Sequence, residues 1–168
     1  MIRYFIPALL LVLTGMVSCL NLDPPCSRTI NQNLLSLLDT ARINSDGKAI
    51  KAWLDANNKT ATKDGTGLWY RIIQQGTGEV PCLSDVVSVN YTGSLLSTGT
   101  VFDASTQPVD LPLNNLILGW QIGFLKLQKG AKVVFYIPSS LGYGGADRPK
   151  IPANSILVFD IEFVDLKR

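Results

Sequence analysis

Leu116-Ile117-Leu118-Gly119-Trp120-Gln121-Ile122-Gly123-Phe124-Leu125-Lys126-Leu127 decides the reading of this chain. Leu116, Ile117, Trp120, Phe124 and Leu127 fall on one stripe at helical spacing, so the stretch predicts a single amphipathic helix. On both sides the apolar period shortens to that of strands. Upstream, Leu68, Tyr70 and Ile72 alternate with Trp69, Arg71 and Ile73, and Val87, Val89 and Tyr91 share one face of the next run. Ser97-Thr98-Gly99 reads as a hairpin connection ahead of Val101 and Phe102, with a loop after Ser105. Downstream, residues 132–137 and 155–164 read as the last strands. One helix among so many strands gives an α+β fold, an antiparallel twisted β-sheet wrapped around one amphipathic α-helix. Such a layout leaves a cleft where sheet meets helix, a common seat for a ligand of modest size.

The amino-terminal side has a different character. Residues 1–18 read as a signal peptide: Arg3 supplies the positive start, Phe5 to Val17 the apolar stretch, and Ser18 a small residue before Cys19. That stretch is too short to span a bilayer comfortably. Met16-Val17-Ser18-Cys19 resembles the bacterial lipobox, which implies lipidation at Cys19 and a place in the bacterial cell envelope, facing the periplasm. Leu20 gives no clear inner-membrane retention signal, which favours the outer membrane. Residues 19–29, with Asp23-Pro24-Pro25, suit an extended tether. Residues 30–63 form a short helical N-terminal extension. Ile30, Leu34, Leu37, Leu38 and Ala41 recur at helical spacing, and Asp46 is expected to cap a second helix carrying Ile50, Trp53 and Leu54. That apolar patch is expected to pack on the body of the protein rather than on a second copy. The polar run from Asn57 to Gly67 marks a boundary, with the β-rich domain assigned to 64–168.

Composition narrows the chemistry. The chain has 168 residues, 46% of them apolar, enough for one ordinary core without a metal. A net charge of +2 with no basic run excludes a nucleic-acid footprint. The chain has no histidine, which removes Ser-His and Cys-His nucleophilic machinery and the commonest zinc ligand; no cofactor is expected. Cys26 and Cys82 leave two alternatives: a disulfide, which an oxidising compartment would permit, or a packed Cys82 with Cys26 in the tether.

Five motifs then follow in chain order: Val89-Asn90-Tyr91-Thr92-Gly93, Phe102-Asp103-Ala104-Ser105, Ile117-Leu118-Gly119-Trp120, Leu141-Gly142-Tyr143-Gly144 and Leu157-Val158-Phe159-Asp160. In this order and spacing they resemble the FKBP-type peptidyl-prolyl isomerases, over about 100 residues from Gly65 to the carboxyl end. The resemblance implies rotation of X-Pro bonds in segments of exported proteins. Residue by residue, it implies a cleft with Trp120 as floor, Tyr91, Phe102 and Phe159 as walls, and Asp103 acting electrostatically on the bound peptide bond. It further implies Leu111 and Leu116 as substrate contacts, the Ile117 amide and the Tyr143 hydroxyl as donors to peptide carbonyls, and Ile151 as the apolar contact of an arching loop.

The chain departs from that pattern between Ser105 and Leu111. No arginine stands there to support Asp103, and Val109 and Leu111 replace residues that are often aromatic. The wall is expected to be smoother, and macrolide inhibitors are expected to be weak ligands. The same departure leaves a second reading open, a proline-recognising module with negligible turnover.

Overall fold

The computed structural model describes residues 26–168. Cys19, the signal peptide and most of the expected tether lie outside these described residues. Six strands, β1 (Thr62–Lys63), β2 (Trp69–Gln74), β3 (Val86–Leu95), β4 (Val101–Pro112), β5 (Lys132–Ile137) and β6 (Leu157–Lys167), form one antiparallel sheet in the order β1-β2-β5-β6-β3-β4. β6 is the hub, paired on one side with β5 and on the other with β3. Its sequence shows why: Leu157, Phe159, Ile161 and Phe163 are all buried at a period of two, and they build the core with Val87, Val89, Val133 and Phe135.

The helix α3 spans Leu118–Phe124 and lies against this inner face. It is shorter than its apolar stripe predicts. Leu116 is extended and Ile117 is the N-cap, after a 3-10 turn at Leu113–Asn115, while Leu127 lies beyond the helix in a turn and is still buried. Gln121 satisfies the entry, donating its Nε2 to the carbonyls of Leu116 and Asn114 at 2.8 and 3.2 Å. The stripe packs on the core along its length, half-buried at Leu116 and Ile117 and buried from Trp120 onward, but only its middle is helical. Gly119 and Gly123, one turn apart, let α3 approach the sheet: a Cβ at these positions would sit 2.6 Å from Ile137 Cγ2 and 2.3 Å from Phe135 Cζ.

Three further expectations are corrected. The segment after Ser105 is strand rather than loop, because β4 continues to Pro112. Tyr91 pairs with Ser105 but Val89 with Val109, so residues 106–108 bulge; as an edge strand β4 tolerates Pro108, which has no N–H to give. The helix periodicity over 30–41 is broken. α1 covers only Gln32–Ser36, Leu37 is exposed, and α2 begins at Thr40 and runs to Ala56. Its N-cap is Asp39, whose Oδ1 accepts from Arg42 N at 2.8 Å.

Asp46 is therefore inside α2, and it is buried. Its Oδ2 accepts from the backbone N and the Oγ of Ser139, at 2.8 and 2.6 Å, and Arg42 Nε lies 3.1 Å from its Oδ1. Farther along, Ile50 and Leu54 of α2 bury themselves against Leu96 and Tyr136, with Trp53 tilted on the Tyr136 ring at 5.8 Å. Tyr136 alternates with the core-facing Phe135, so this half of α2 covers the opposite face of the sheet.

Cys26 and Cys82 are joined as a disulfide with their Cα atoms 5.2 Å apart. Beside it the Leu83 N–H donates to the Ser27 carbonyl at 2.8 Å, and Arg28 donates to the Val80 carbonyl at 3.1 Å. The amino-terminal segment is thus fastened to the body from its first described residue. Among the described residues, no helix is long and apolar enough to cross a membrane.

Candidate functional site

The cleft forms where the start of α3 meets β3, β4 and β6. Trp120, in the first turn of α3, is 4% exposed. Tyr91 from β3 and Phe159 from β6 meet it edge-on, with ring centroids at 5.5 and 5.1 Å and interplanar angles of 88° and 89°. Perpendicular contacts of this kind place a positive ring edge on a negative ring face. They fix the indole in one orientation, and its Nε1 has no hydrogen-bond partner, so packing alone holds it. Phe102 packs against Phe159 at 5.6 Å, edge to face. Gly93 makes that pairing possible, because a Cβ there would come within 2.7 Å of both Phe102 and Phe159.

The space in front of these rings is about 560 Å³. Of the ten residues that the sequence placed in the site, eight line it: Tyr91, Asp103, Leu111, Leu116, Ile117, Trp120, Tyr143 and Phe159. Two do not. Phe102 is half-buried and packs edge to face on the Phe159 wall. Ile151 is buried in the core, and its backbone exchanges two 2.9 Å bonds with Arg148, so it fastens the loop instead of facing the cleft. Asn115, Gly142 and Arg148 line the cleft without having been anticipated. The signal for Arg148 was present in the Gly- and Pro-rich loop, but nothing local fixed where its long side chain would lie.

The polar groups are few and specifically held. Tyr91 Oη donates to Asp103 Oδ2 at 2.6 Å. Burial first, and then this bond to the carboxylate, raise the phenol above its ordinary range, so it stays protonated as the donor. Asp103 is supported by tyrosine where the sequence offered no arginine. Ile117 caps α3 with its carbonyl, which accepts from Trp120 N and Gln121 N at 2.9 and 3.2 Å. The helix does not use its N–H. Tyr143 follows the 3-10 turn Ser139–Leu141, the same turn that Asp46 holds.

A larger hollow, about 740 Å³, lies on the outer face of the sheet near the end of α2. Its aromatic pair, Trp53 and Tyr136, is already engaged in seating that helix. The smaller cleft is the one with convergent aromatic faces and poised donors.

The model of the family described as FKBP-type peptidyl-prolyl cis-trans isomerase matches residues 78–164. The chain belongs to this FKBP-type family. The match spans every cleft residue named above. The protein described as FKBP-type peptidyl-prolyl cis-trans isomerase FkpA of Escherichia coli is 43% identical over 115 residues, covering 67% of this chain and 42% of that protein. The peptidyl-prolyl cis-trans isomerase Mip of Coxiella burnetii is 40% identical over 124 residues, covering 70% of this chain and 54% of that one. The chain therefore spans only about half, or less, of the length of these curated relatives. Among solved structures, that of FkpA from Escherichia coli superposes with a TM-score of 0.66 at 39% identity, covering 81% of this chain and 64% of the other. A peptidyl-prolyl isomerase from Pseudomonas syringae gives a TM-score of 0.64 at 29% identity, covering 74% and 96%. The antiparallel sheet packed on a helix is the fold that this FKBP-type chain shares with them.

Proposed function

We propose that this FKBP-type chain catalyses cis-trans isomerisation of X-Pro bonds in segments of exported proteins, while held at a bacterial membrane surface by lipid on Cys19. The observation that carries the catalytic part is the Trp120 floor, fixed between the perpendicular rings of Tyr91 and Phe159 at the base of an open cleft. An apolar floor of this shape accepts a proline ring by stacking.

Rotation about an X-Pro amide is slow because resonance keeps the bond planar, with a barrier of ~18–20 kcal/mol. No bond has to break to lower it. A dry aromatic cleft disfavours the planar, more dipolar amide relative to the twisted one, and the Ile117 N–H and Tyr143 hydroxyl hold the flanking carbonyls in a turn. Asp103, with its carboxylate fixed by Tyr91, acts electrostatically on the rotating bond. An acceleration of about 10⁵ asks these interactions for ~7 kcal/mol in all. Trp120→Leu, assayed on a proline tetrapeptide, is expected to lose at least about tenfold in kcat/KM, roughly the 1.4 kcal/mol of one stacking contact. Unchanged activity in a folded variant would remove the floor from the mechanism.

One observation favours a second reading, a proline-recognising module with negligible turnover: among the described residues Asp103 has no cationic partner. Exchange rates measured by NMR on a proline peptide separate the two. The anchor is tested separately. Acyl methylenes contribute ~0.8 kcal/mol each on burial in a bilayer, so Cys19→Ser is expected to move the protein from the membrane fraction to the soluble one, and retention in the membrane would overturn the anchor. The expected residence is the periplasmic side of the envelope, at the outer membrane.

A further inference from the structure

Arg148 is a cleft residue that the isomerisation chemistry leaves unused. It lies in the loop between Gly144 and Pro152, which is fastened at several points. Arg148 and Ile151 exchange backbone bonds at 2.9 Å, Ile151 is buried in the core, and the Asn154 N–H donates to the Gly144 carbonyl at 2.8 Å. The arginine therefore starts from a fixed backbone. Its guanidinium carbon sits 4.4 Å from the centroid of the Tyr143 ring, a cation-π contact that lays the charge over one wall of the cleft.

That charge is not neutralised nearby. The adjacent carboxylate, Asp147, is turned to the Ala153 N–H, which donates to its Oδ1 at 2.7 Å. The carboxylate that lines the cleft, Asp103, accepts from Tyr91 through its Oδ2. Among the described residues Arg148 forms no ion pair, in contrast to Arg42 and Arg168. Lys150, two residues on, is exposed and likewise forms none among the described residues. A guanidinium presents a flat fork of donors matched to a carboxylate, and it stays charged at every working pH.

We propose that Arg148 makes the cleft selective for proline segments carrying an acidic side chain beside the proline. The inference rests on the cleft binding X-Pro peptides, as proposed above. Arg148 is exposed, so solvent screens the pair, and the expected preference for glutamate over lysine is about two- to fivefold, the yield of an exposed ion pair.

The experiment uses tetrapeptides with Glu or Lys immediately before or after proline, with isomerisation read by NMR exchange for the wild type, Arg148→Ala and Arg148→Glu. The readout is the Glu-to-Lys ratio within each variant, so any change common to both peptides cancels. The ratio is expected to exceed one in the wild type, to fall to about one in Arg148→Ala, to invert in Arg148→Glu, and to flatten in high salt. A wild-type ratio of one at both positions, or a preference that survives Arg148→Ala, overturns the assignment. If no peptide is turned over, the isomerase reading fails on its own, and the same ratios are read from peptide-binding affinities. A chain that neither turns over nor binds any of the peptides overturns both.

Discussion

Replacing Asp46 with alanine removes a carboxylate buried between α2 and the turn that precedes Tyr143. Ser139 is fully buried, and its N–H and O–H both donate to Asp46 Oδ2, at 2.8 and 2.6 Å. Each bond to a charged acceptor is worth about 1.5–3 kcal/mol. Removing the acceptor leaves the Ser139 N–H without a partner in a site that water does not reach. Arg42, the ion-pair partner, is 37% exposed and regains water, so its loss adds little. Alanine returns roughly 0.5 kcal/mol through its better helix propensity. The net expected loss is about 3–4 kcal/mol, a large share of the ~5–15 kcal/mol that holds an ordinary domain. Asp46→Asn keeps one acceptor oxygen and is expected to lose about half as much. Equilibrium unfolding in urea reads both: the midpoint falls while the slope stays constant if only the native state has changed. An alanine variant that loses less than about 1 kcal/mol would refute the reasoning, since the buried donors must then have found another partner.

Tyr91→Phe deletes the bond to Asp103 and is expected to cost about tenfold in kcat/KM, roughly 1.4 kcal/mol; a peptide assay showing full activity would take Tyr91 out of the mechanism. Burial and then Asp103 raise the Tyr91 phenol, so the stability that it contributes is fully present below the ordinary tyrosine value near 10 and is lost only as pH rises through the higher folded value. Ultraviolet titration of the native protein should therefore show a tyrosine ionising late, and Tyr91→Phe should remove one such group. Cys26→Ser opens a loop closed across a separation of 56 residues, which chain entropy values at up to ~4 kcal/mol, so thermal unfolding should shift by the equivalent of about 2–4 kcal/mol. No shift would mean that residues 26–28 are held by their hydrogen bonds alone. Titration with a macrolide inhibitor is expected to give weak affinity, because Leu111 supplies an aliphatic wall; affinity as tight as that of an aromatic-walled member of the family would refute this.

The sequence made legible what depends on short-range pattern. The period-two runs of β2, β5 and β6 give the sheet, and ordered motifs around Tyr91, Asp103, Trp120, Tyr143 and Phe159 give the cleft, since each motif carries its own local geometry. What escaped depends on partners far away in the chain. Asp46 read as a cap because Asp is a good N-cap; that it is buried mid-helix follows only from Ser139, 93 residues on. The apolar stripe extends past α3 because Leu127 is buried, and Leu116 and Ile117 are half-buried against the core, without being helical, and burial is what periodicity detects. The resemblance implies Ile151 as the apolar contact of an arching loop, and it is core, because its loop folds back by way of Arg148. The resemblance implies an arginine in support of Asp103; the support comes from Tyr91, which the motif already contains.

These long-range contacts bear on how the cleft works. A site that lowers a rotational barrier by differential binding gains only from groups already in place, since ordering them during the reaction would cost what the contacts return. The two donors proposed for this cleft meet that condition by different routes. Ile117 is fixed by its position as the cap of α3, a helix pressed onto β5 through Gly119 and Gly123. Tyr143 lies only four residues after Ser139, and that turn is held from outside the sheet by Asp46 while Arg42 reaches the Asn154 carbonyl at 3.1 Å, on the far side of the loop. α2 thus clamps both ends of the segment that carries Tyr143 and Arg148. The helical extension is part of the cleft's support, and damage to it should appear in peptide turnover even when the sheet remains folded.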